Sequence, residues 1–406
     1  MKILFLTDNF PPETNAPATR TYEHCKEWVK QGAEVTVITG VPNFPHGKVF
    51  PGYTNKWRQT EWVDGIKVIR VWTFIVANKG KWLRILDYVS YMKMAIIQGL
   101  FVKTDIIVAT SPQFFTAVAG FVLGTLKRKP WIFELRDLWP DSITATGAMR
   151  QGFLLRTLSK LELFLYRKSA LIIANSPAFK TDLLHRNIPA EKIYIIPNGC
   201  DVESFSKQEK DLELLMKLKL NDKFIVGYIG THGMAHGLEF ILETAKTITD
   251  SSIHFLFVGD GAQKEHLLLL REKLNLTNVT FHPSIKRDDL PACLSVLDVA
   301  LVPLKKADTF KTVIPSKIFE AAVMGKPILL GVEGQAKEIV ETYGAGLCFE
   351  PENAIEFVAH IMTLKQETRL YTQLQAGCDK LAVAYNRKDL AIKMLNILKD
   401  CVNEAR

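Results

Sequence analysis

Short apolar runs alternate with longer helical patterns along the chain, and the alternation occurs in two series. In the first series the runs that predict strands are Lys2–Asp8, Ala33–Gly40, Lys67–Trp72, Asp105–Thr110, Trp131–Asp137, Ala170–Ser176 and Lys192–Pro197. In the second series they are Phe224–Gly230, His254–Gly259, Val279–Pro283, Val299–Pro303, Pro327–Gly331 and Gly346–Glu350. Parallel strands need crossovers, which the intervening helical patterns supply. The pattern therefore predicts an α/β fold with two Rossmann-like, doubly wound domains.

The two series are separated by a polar, charged stretch from Asp201 to Asp222, which we interpret as a linker. A chain of 406 residues exceeds what one hydrophobic core usually serves. We place the first domain at residues 1–203 and the second at 204–385. We expect a C-terminal helix, at about 386–406, to pack back on the first domain.

Two segments bear on membrane association. The longest apolar stretch, Phe114–Leu126, has 13 residues, whereas a membrane-spanning helix needs about 20. It therefore predicts a buried crossover helix. From Lys79 to Lys103 basic and apolar residues are mixed, which is typical of a helix on an anionic bilayer or of an amphipathic helix packed on its own sheet. We favour the packed helix.

Composition narrows the class of protein. Apolar residues make up 48% and charged residues 23%, as in ordinary globular proteins. The six cysteines form no C-x-x-C pair, which argues against a zinc or disulfide framework. No signal sequence is evident, so a cytoplasmic protein is expected. We also expect no metal, because the cysteines have no zinc-site spacing. The formal charge of +8 favours anionic partners, such as nucleotide diphosphates or lipid head groups, but no nucleic-acid-binding motif is present.

Ligands of open α/β sheets bind beyond the carboxyl ends of the strands, so the loops there are the first candidates. The loop Thr7–Arg20, with Asn15 and Ala16, is long and precedes a helix whose amino end could hold an anion. It could equally be a proline-stiffened structural turn.

Two glycine-rich turns follow strands of the second series. Gly230, Thr231, His232 and Gly233 form a candidate diphosphate cradle, because glycine lets phosphate oxygens approach backbone N–H groups closely. His232 and the nearby His236 either point at the ligand or have no role. A second turn, which contains Gly259, Asp260 and Gly261, either shapes the same pocket or only reverses the chain.

The most informative segment is Thr312–Ile328. Its Pro315-Ser316 start, apolar helical face and Gly325 stop predict one short helix with capping chemistry. Lys317 and Glu320 share a face of it, where a lysine could meet phosphate and a carboxylate could accept hydrogen bonds from ribose hydroxyls. A surface ion pair is the alternative.

Taken together, these features resemble the retaining glycosyltransferases of family four, which have the GT-B fold. The resemblance covers nearly the whole chain and depends on the order and spacing of its motifs. Those motifs are the Lys2–Leu6 strand, Phe10–Glu13, Gly32–Thr39, Asn175-Ser176, Ile196–Asp201, Val258–Gly261 and Glu320–Pro327.

The resemblance implies that two domains face each other across a cleft, the second binding a nucleotide sugar and the first an acceptor. Carried over by position, Glu320 grips the ribose, the Gly230–Gly233 loop faces the diphosphate, and Asn15 with Ala16 closes the cleft. Thr312 stands where many members have another glutamate. An arginine and a lysine usual after the second domain's first strand are missing, so we expect Lys317 and Arg136 to supply positive charge.

A narrower resemblance is to bacterial surface-polysaccharide enzymes described as L-fucosamine transferases, on the segments Glu134–Asp141, Gly230–Gly233 and Pro315–Lys317. It implies transfer of a UDP-linked amino sugar, such as N-acetyl-L-fucosamine, to a lipid-linked saccharide of O-antigen or capsule. Lys317 and the Gly230–Gly233 amides would stabilise the leaving diphosphate. Arg136 and Asp137 would orient the acceptor, or would form a buried structural pair.

Other functions are compatible with two α/β domains. A two-domain nucleotide-sugar epimerase would act without an acceptor. A solute-binding protein would be expected to carry an export signal, and a dehydrogenase would be expected to have a complete dinucleotide fingerprint.

Overall fold

The computed structural model describes residues 1–13, 15–44, 47–75, 81–111, 113–137, 153–202, 205 and 207–404. The chain divides into two compact units. The first comprises Met1–Asn198 and Arg387–Arg406, and the second comprises Gly199–Asn386.

The first unit is built on an eight-stranded sheet of order β3-β4-β2-β1-β5-β6-β7-β8. Its strands are β1 (Lys2–Leu6), β2 (Glu34–Gly40), β3 (Arg58–Val63), β4 (Ile66–Val71), β5 (Ile106–Thr110), β6 (Trp131–Leu135), β7 (Leu171–Ala174) and β8 (Ile193–Ile195). Every described pairing is parallel except that of β3 with β4. The central strands β5 and β6 are buried at every position, as expected of parallel strands covered on both faces.

Helices cover the sheet of the first unit. They are α1 (Ala16–Lys30), α2 (Lys81–Leu100), α3 (Phe114–Lys127), α4 (Phe153–Lys168) and α5 (Pro177–His185). The C-terminal helix, Arg387–Glu404, also belongs to this unit. It packs on α1, where Trp28 Nε1 donates to the Ala391 carbonyl at 2.8 Å.

The second unit contains a six-stranded, parallel sheet of order β11-β10-β9-β12-β13-β14. Its strands are β9 (Phe224–Ile229), β10 (Ile253–Val258), β11 (Val279–His282), β12 (Val299–Pro303), β13 (Ile328–Gly331) and β14 (Gly346–Cys348). Its helices are α6 (Leu212–Leu218), α7 (Leu238–Ala245), α8 (Lys264–Lys273), α9 (Leu290–Ser295), α10 (Lys317–Val323), α11 (Gln335–Tyr343), α12 (Ala354–Gln366) and α13 (Thr368–Ala384); the C-terminal helix of the first unit is α14. The α/β fold class is confirmed, with a Rossmann-like sheet in each unit.

Two elements differ from the sequence prediction. The strand β3 was not predicted, because its residues alternate between exposed and partly buried and are largely polar. The supposed linker Asp201–Asp222 holds α6, whose first turn is capped by Asp211, and Leu215 of α6 is buried in the core. Phe114–Leu126 forms a buried crossover helix, as predicted.

No helix in the described ranges combines the length and the apolar character needed to cross a bilayer. Of the Lys79–Lys103 segment, only residues from Lys81 onward belong to the described residues.

Candidate functional site

Two glycine-rich loops of the second unit, Gly230–Gly233 after β9 and Gly259–Gly261 after β10, lie directly against each other. Gly230 N donates to the Val258 carbonyl and His232 N to the Asp260 carbonyl, both at 2.8 Å. A Cβ atom on Gly259 would stand 2.0 Å from the Gly230 carbonyl oxygen, and φ at Gly259 is +142°. Glycine is therefore required at this contact, and the Gly259 turn shapes the first loop as well as reversing the chain.

The contact between the loops divides the amides of the first loop into two sets. Those of Gly230 and His232 donate to the carbonyls of Val258 and Asp260, whereas those of Thr231 and Gly233 donate no hydrogen bond within the described residues. The loop itself is anchored by Tyr228, whose hydroxyl donates to the Thr231 carbonyl at 2.6 Å. Two backbone N–H groups are thus left to receive an anion.

Lys317, at the start of α10, reaches the first of these loops. Its Cε and Nζ atoms lie 2.6 Å from where a Cβ on Gly230 would stand, and its ammonium is 5.1 Å from the centre of the Tyr228 ring. Burial lowers the pKa of Lys317, while the neighbouring Glu320 carboxylate opposes that shift. The fold therefore places a desolvated ammonium beside Gly230 of the glycine loop.

The start of α10 differs from the predicted cap. Ser316 has helical backbone angles and its side chain makes no capping bond to the described residues, so the predicted cap at the start of the helix is wrong. The predicted stop at Gly325 is confirmed, because φ there is +63° and Gly325 N donates to the Ala322 carbonyl at 2.9 Å. Glu320 lies one turn along the helix and is partly buried, and its charge raises the pKa of the Cys200 thiol, although burial contributes more. Thr312 is exposed.

The two histidines near the first loop have different surroundings. His232 is fully buried, and its ring packs among Tyr228, Phe257 and Phe281. Neither of its ring nitrogens has a hydrogen-bond partner in the described part of the chain. The His236 ring packs on Tyr228 at 5.8 Å. Burial lowers the pKa of each histidine to about 4, so both are neutral at pH 7.

Asn15, Ala16, Arg136 and Asp137 belong to the first unit. Asn15 is the N-cap of α1, and its Oδ1 accepts from Ala18 N at 2.9 Å. Ala16 is the first residue of that helix. Asn15 therefore has a structural role as the N-cap of α1, which was not predicted from the sequence.

Arg136 lies beside a buried ion pair. Arg20 Nε donates to Glu134 Oε1 at 2.9 Å, and its other nitrogens donate to the carbonyls of Ile196 and Pro197. Burial raises the pKa of Glu134, but Arg20 and Arg136 outweigh it and hold that pKa below its ordinary value. Asp137 ends this described range, so Leu138–Asp141 of the predicted motif lies outside the described residues.

Sequence reasoning assigned no individual role to three residues of these sites: Tyr228, Arg20 and Glu134. Tyr228 could have been found, because it is the one large polar residue in the apolar strand that leads to the glycine loop. Arg20 and Glu134 are 114 residues apart, and no local pattern links them. In the described part of the chain, no three histidine, cysteine or acidic side chains are grouped as a metal site.

Comparison with known proteins relates both halves of the chain to glycosyltransferases. Residues 17–204 match the model of Glycosyltransferase Family 4, and residues 213–378 match that of Glycosyl transferases group 1. A protein of Escherichia coli K12 named as the colanic acid biosynthesis glycosyl transferase WcaI is 26% identical over 375 residues, which cover 89% of this chain and 91% of that protein.

Two solved structures share the fold at low sequence identity. Sucrose-phosphate synthase from Thermosynechococcus elongatus matches with a TM-score of 0.78 at 16% identity, over 98% of each chain. Alr3699/HepE of Anabaena, in complex with UDP-glucose, matches with a TM-score of 0.72 at 19% identity, over 98% of this chain and 100% of that one.

Proposed function

We propose a donor and an acceptor for this enzyme, which belongs to the group 1 glycosyltransferases and has the GT-B fold. The donor is a UDP-sugar, and the sugar is an N-acetylated amino sugar such as N-acetyl-L-fucosamine. The acceptor is a lipid-linked saccharide in the synthesis of a bacterial surface polysaccharide, O-antigen or capsule. The similarity to a colanic acid transferase supports the pathway, and the UDP-glucose held by a protein of the same fold supports the donor.

The main support for the proposal is the closeness of Lys317 to the first glycine loop. The Lys317 ammonium lies beside Gly230 of that loop, whose Thr231 and Gly233 amides are available, and together these groups suit the two phosphates of a UDP-sugar. Glu320, on the same helix, would accept from the ribose hydroxyls. Ser316, Gly259 and Asp260 complete the donor site, with His232 contributing through packing.

The proposed mechanism needs stabilisation of the departing diphosphate more than it needs a base. As the sugar–phosphate bond breaks, negative charge grows on the diphosphate, and fixed N–H dipoles and an ammonium lower the energy of that state. We propose that no metal takes part. In the first unit, Arg136 and Asp137 would orient the acceptor.

A panel of nucleotide sugars, incubated with and without lipid-diphosphate-linked saccharides and analysed by mass spectrometry, tests the proposal. Transfer of one UDP-sugar that requires the acceptor is expected. An altered nucleotide sugar formed without an acceptor would instead identify an epimerase. Activity that disappears with EDTA and returns with a divalent cation would contradict the metal-free mechanism.

We also propose a location: the cytoplasm, with peripheral binding to the anionic inner face of the membrane. One face of α2 carries Leu86, Lys93, Ile97 and Leu100, all exposed, while Tyr91 and Met94 of the same helix are buried in the core. An exposed face of mixed basic and apolar residues suits an anionic bilayer. Co-sedimentation with vesicles containing phosphatidylglycerol, but not with neutral vesicles, is expected, and a Lys93→Glu variant should sediment less.

A further inference from the structure

The carboxyl edge of the first sheet holds a group of polar side chains that the donor site does not use. Strands β5, β6 and β7 are parallel neighbours, so their ends meet at this edge. Arg136 N donates to Ser111 Oγ at 2.7 Å, and Asn175 N donates to the Leu135 carbonyl at 3.1 Å. These bonds hold the segments after the three strands side by side.

Several buried polar atoms at this edge have no hydrogen-bond partner among the described residues. They are Nε and Nη1 of Arg136, Nε2 of Gln113, Oδ1 of Asn175 and Oε2 of Glu134. Gln113 is 4% exposed, and its Oε1 is already used by the Thr116 hydroxyl at 2.6 Å. Buried donors without acceptors are costly, and native proteins usually satisfy them with a ligand or an ordered water.

Charged side chains also meet at this edge. Arg20 and Arg136 share the Glu134 carboxylate, and Glu134 is already paired with Arg20 at 2.9 Å. Burial is the main reason that the pKa of Arg136 falls to about 10, so the guanidinium remains charged at pH 7. The helix α3 begins directly after Gln113 and adds the positive end of its dipole.

We propose that Arg136 and Gln113 bind an anionic group of the acceptor, a phosphate or a carboxylate. The guanidinium and the amide donate to its oxygens, and Asn175 Oδ1 accepts from a hydroxyl of the attached sugar. The acceptor is therefore acidic at the end that enters the first unit. That the anion belongs to an acceptor rests on the proposed function; that an anion binds at Arg136 does not.

Calorimetric titration of the full chain tests this proposal. The protein is saturated with UDP, so that the donor site is filled, and is then titrated with pyrophosphate in one arm and D-glucuronate in the other. Binding of pyrophosphate indicates a carrier diphosphate, and binding of glucuronate indicates an acidic sugar. Failure of both probes to bind overturns the proposal.

Matched variants locate the site. Arg136→Gln should weaken binding of the probe about tenfold or more, because charge-assisted hydrogen bonds are lost. Arg156→Gln, which removes an exposed arginine from α4, should leave it unchanged. Gln113→Glu, which adds a carboxylate at the same edge, should also weaken binding. Unchanged binding in Arg136→Gln contradicts the site.

Two further readouts distinguish anion binding by Arg136 from a purely structural role of that residue. All seven tryptophans lie in the first unit, so a fluorescence melt reports its folding. A lower melting temperature in Arg136→Gln with unchanged anion binding would make Arg136 a structural partner of Glu134 and overturn the proposal. The affinity for UDP tests the proposed donor site, so the two proposals can fail independently.

Discussion

At the residue scale, Lys317 is the side chain on which the proposed chemistry depends most. Because its ammonium lies beside the glycine loop in desolvated surroundings, Lys317→Ala should lower kcat about 100- to 1,000-fold, by analogy with loss of an oxyanion donor. Lys246→Ala removes an exposed lysine of the same unit and should leave kcat unchanged. Steady-state kinetics with the active UDP-sugar checks both variants. Full turnover in Lys317→Ala would remove this residue from the mechanism.

His232 makes stability depend on pH. Its pKa in the folded protein is about 4, whereas an unfolded histidine titrates near about 6.5. Between these values the unfolded state binds more protons, so the stability present above pH ~6.5 falls as the pH falls toward 4. His232→Phe should reduce the loss of melting temperature between pH 8 and pH 5, measured by calorimetry.

The control for this prediction is His266→Gln, which changes an exposed histidine of the second unit and should keep the wild-type pH dependence. UDP affinity should survive His232→Phe, because the ring is packed among aromatic side chains. An unaltered pH dependence in His232→Phe would show that another buried group governs acid stability.

At the element scale, the contact between the two glycine loops limits what the donor site can tolerate. A Cβ on Gly259 would meet the Gly230 carbonyl at 2.0 Å, so Gly259→Ala must push the loops apart. We expect loss of UDP binding and a lower melting temperature. Gly344 also has a positive φ, but a Cβ added there would meet open space. Gly344→Ala should therefore lower the free energy of unfolding by only about 1–2 kcal/mol.

Both variants are compared by calorimetric UDP titration and by denaturant unfolding. If Gly259→Ala and Gly344→Ala bind UDP equally well, the loop contact does not shape the donor site.

Some helices and strands could be predicted from the sequence alone, and others could not. The buried parallel strands were predicted because they are continuous apolar runs between helical patterns. The edge strand β3 is polar, and its signal was the Asp64-Gly65 turn, where both residues have positive φ, as a two-residue hairpin requires. Helix α6 was missed because the segments on either side of it are polar and charged, although the cap Asp211 and the apolar residues of Leu212–Leu218 mark it.

At the scale of the whole molecule, the candidate donor site could be predicted in part because its pieces follow strands of one sheet. The nearness of Lys317 to Gly230 arises from the fold, since 87 residues separate them in the chain. The division of the loop amides into used and available sets depends on hydrogen bonds from Gly230 and His232 to the next loop. Such long-range pairings leave no periodic signal in a sequence.

After the second unit, the chain returns to the first unit and ends there with α14. Residues of α14 are buried with Trp28 in the core of the first unit, and Arg387 pairs there with Glu23. Deleting residues 387–406 therefore exposes that core, whereas the second unit, Gly199–Asn386, keeps its own core. The first unit should lose its cooperative melt, and the second should still bind UDP.

Tryptophan fluorescence and UDP titration measure the two effects separately, because every tryptophan lies in the first unit. Deletion of residues 403–406 alone, which leaves the buried Cys401 and Val402 in place, is the control and should preserve the melting transition. A normal fluorescence melt without residues 387–406 would contradict the role of α14 in the first core. Loss of UDP binding in the truncated protein would contradict the independence of the second unit.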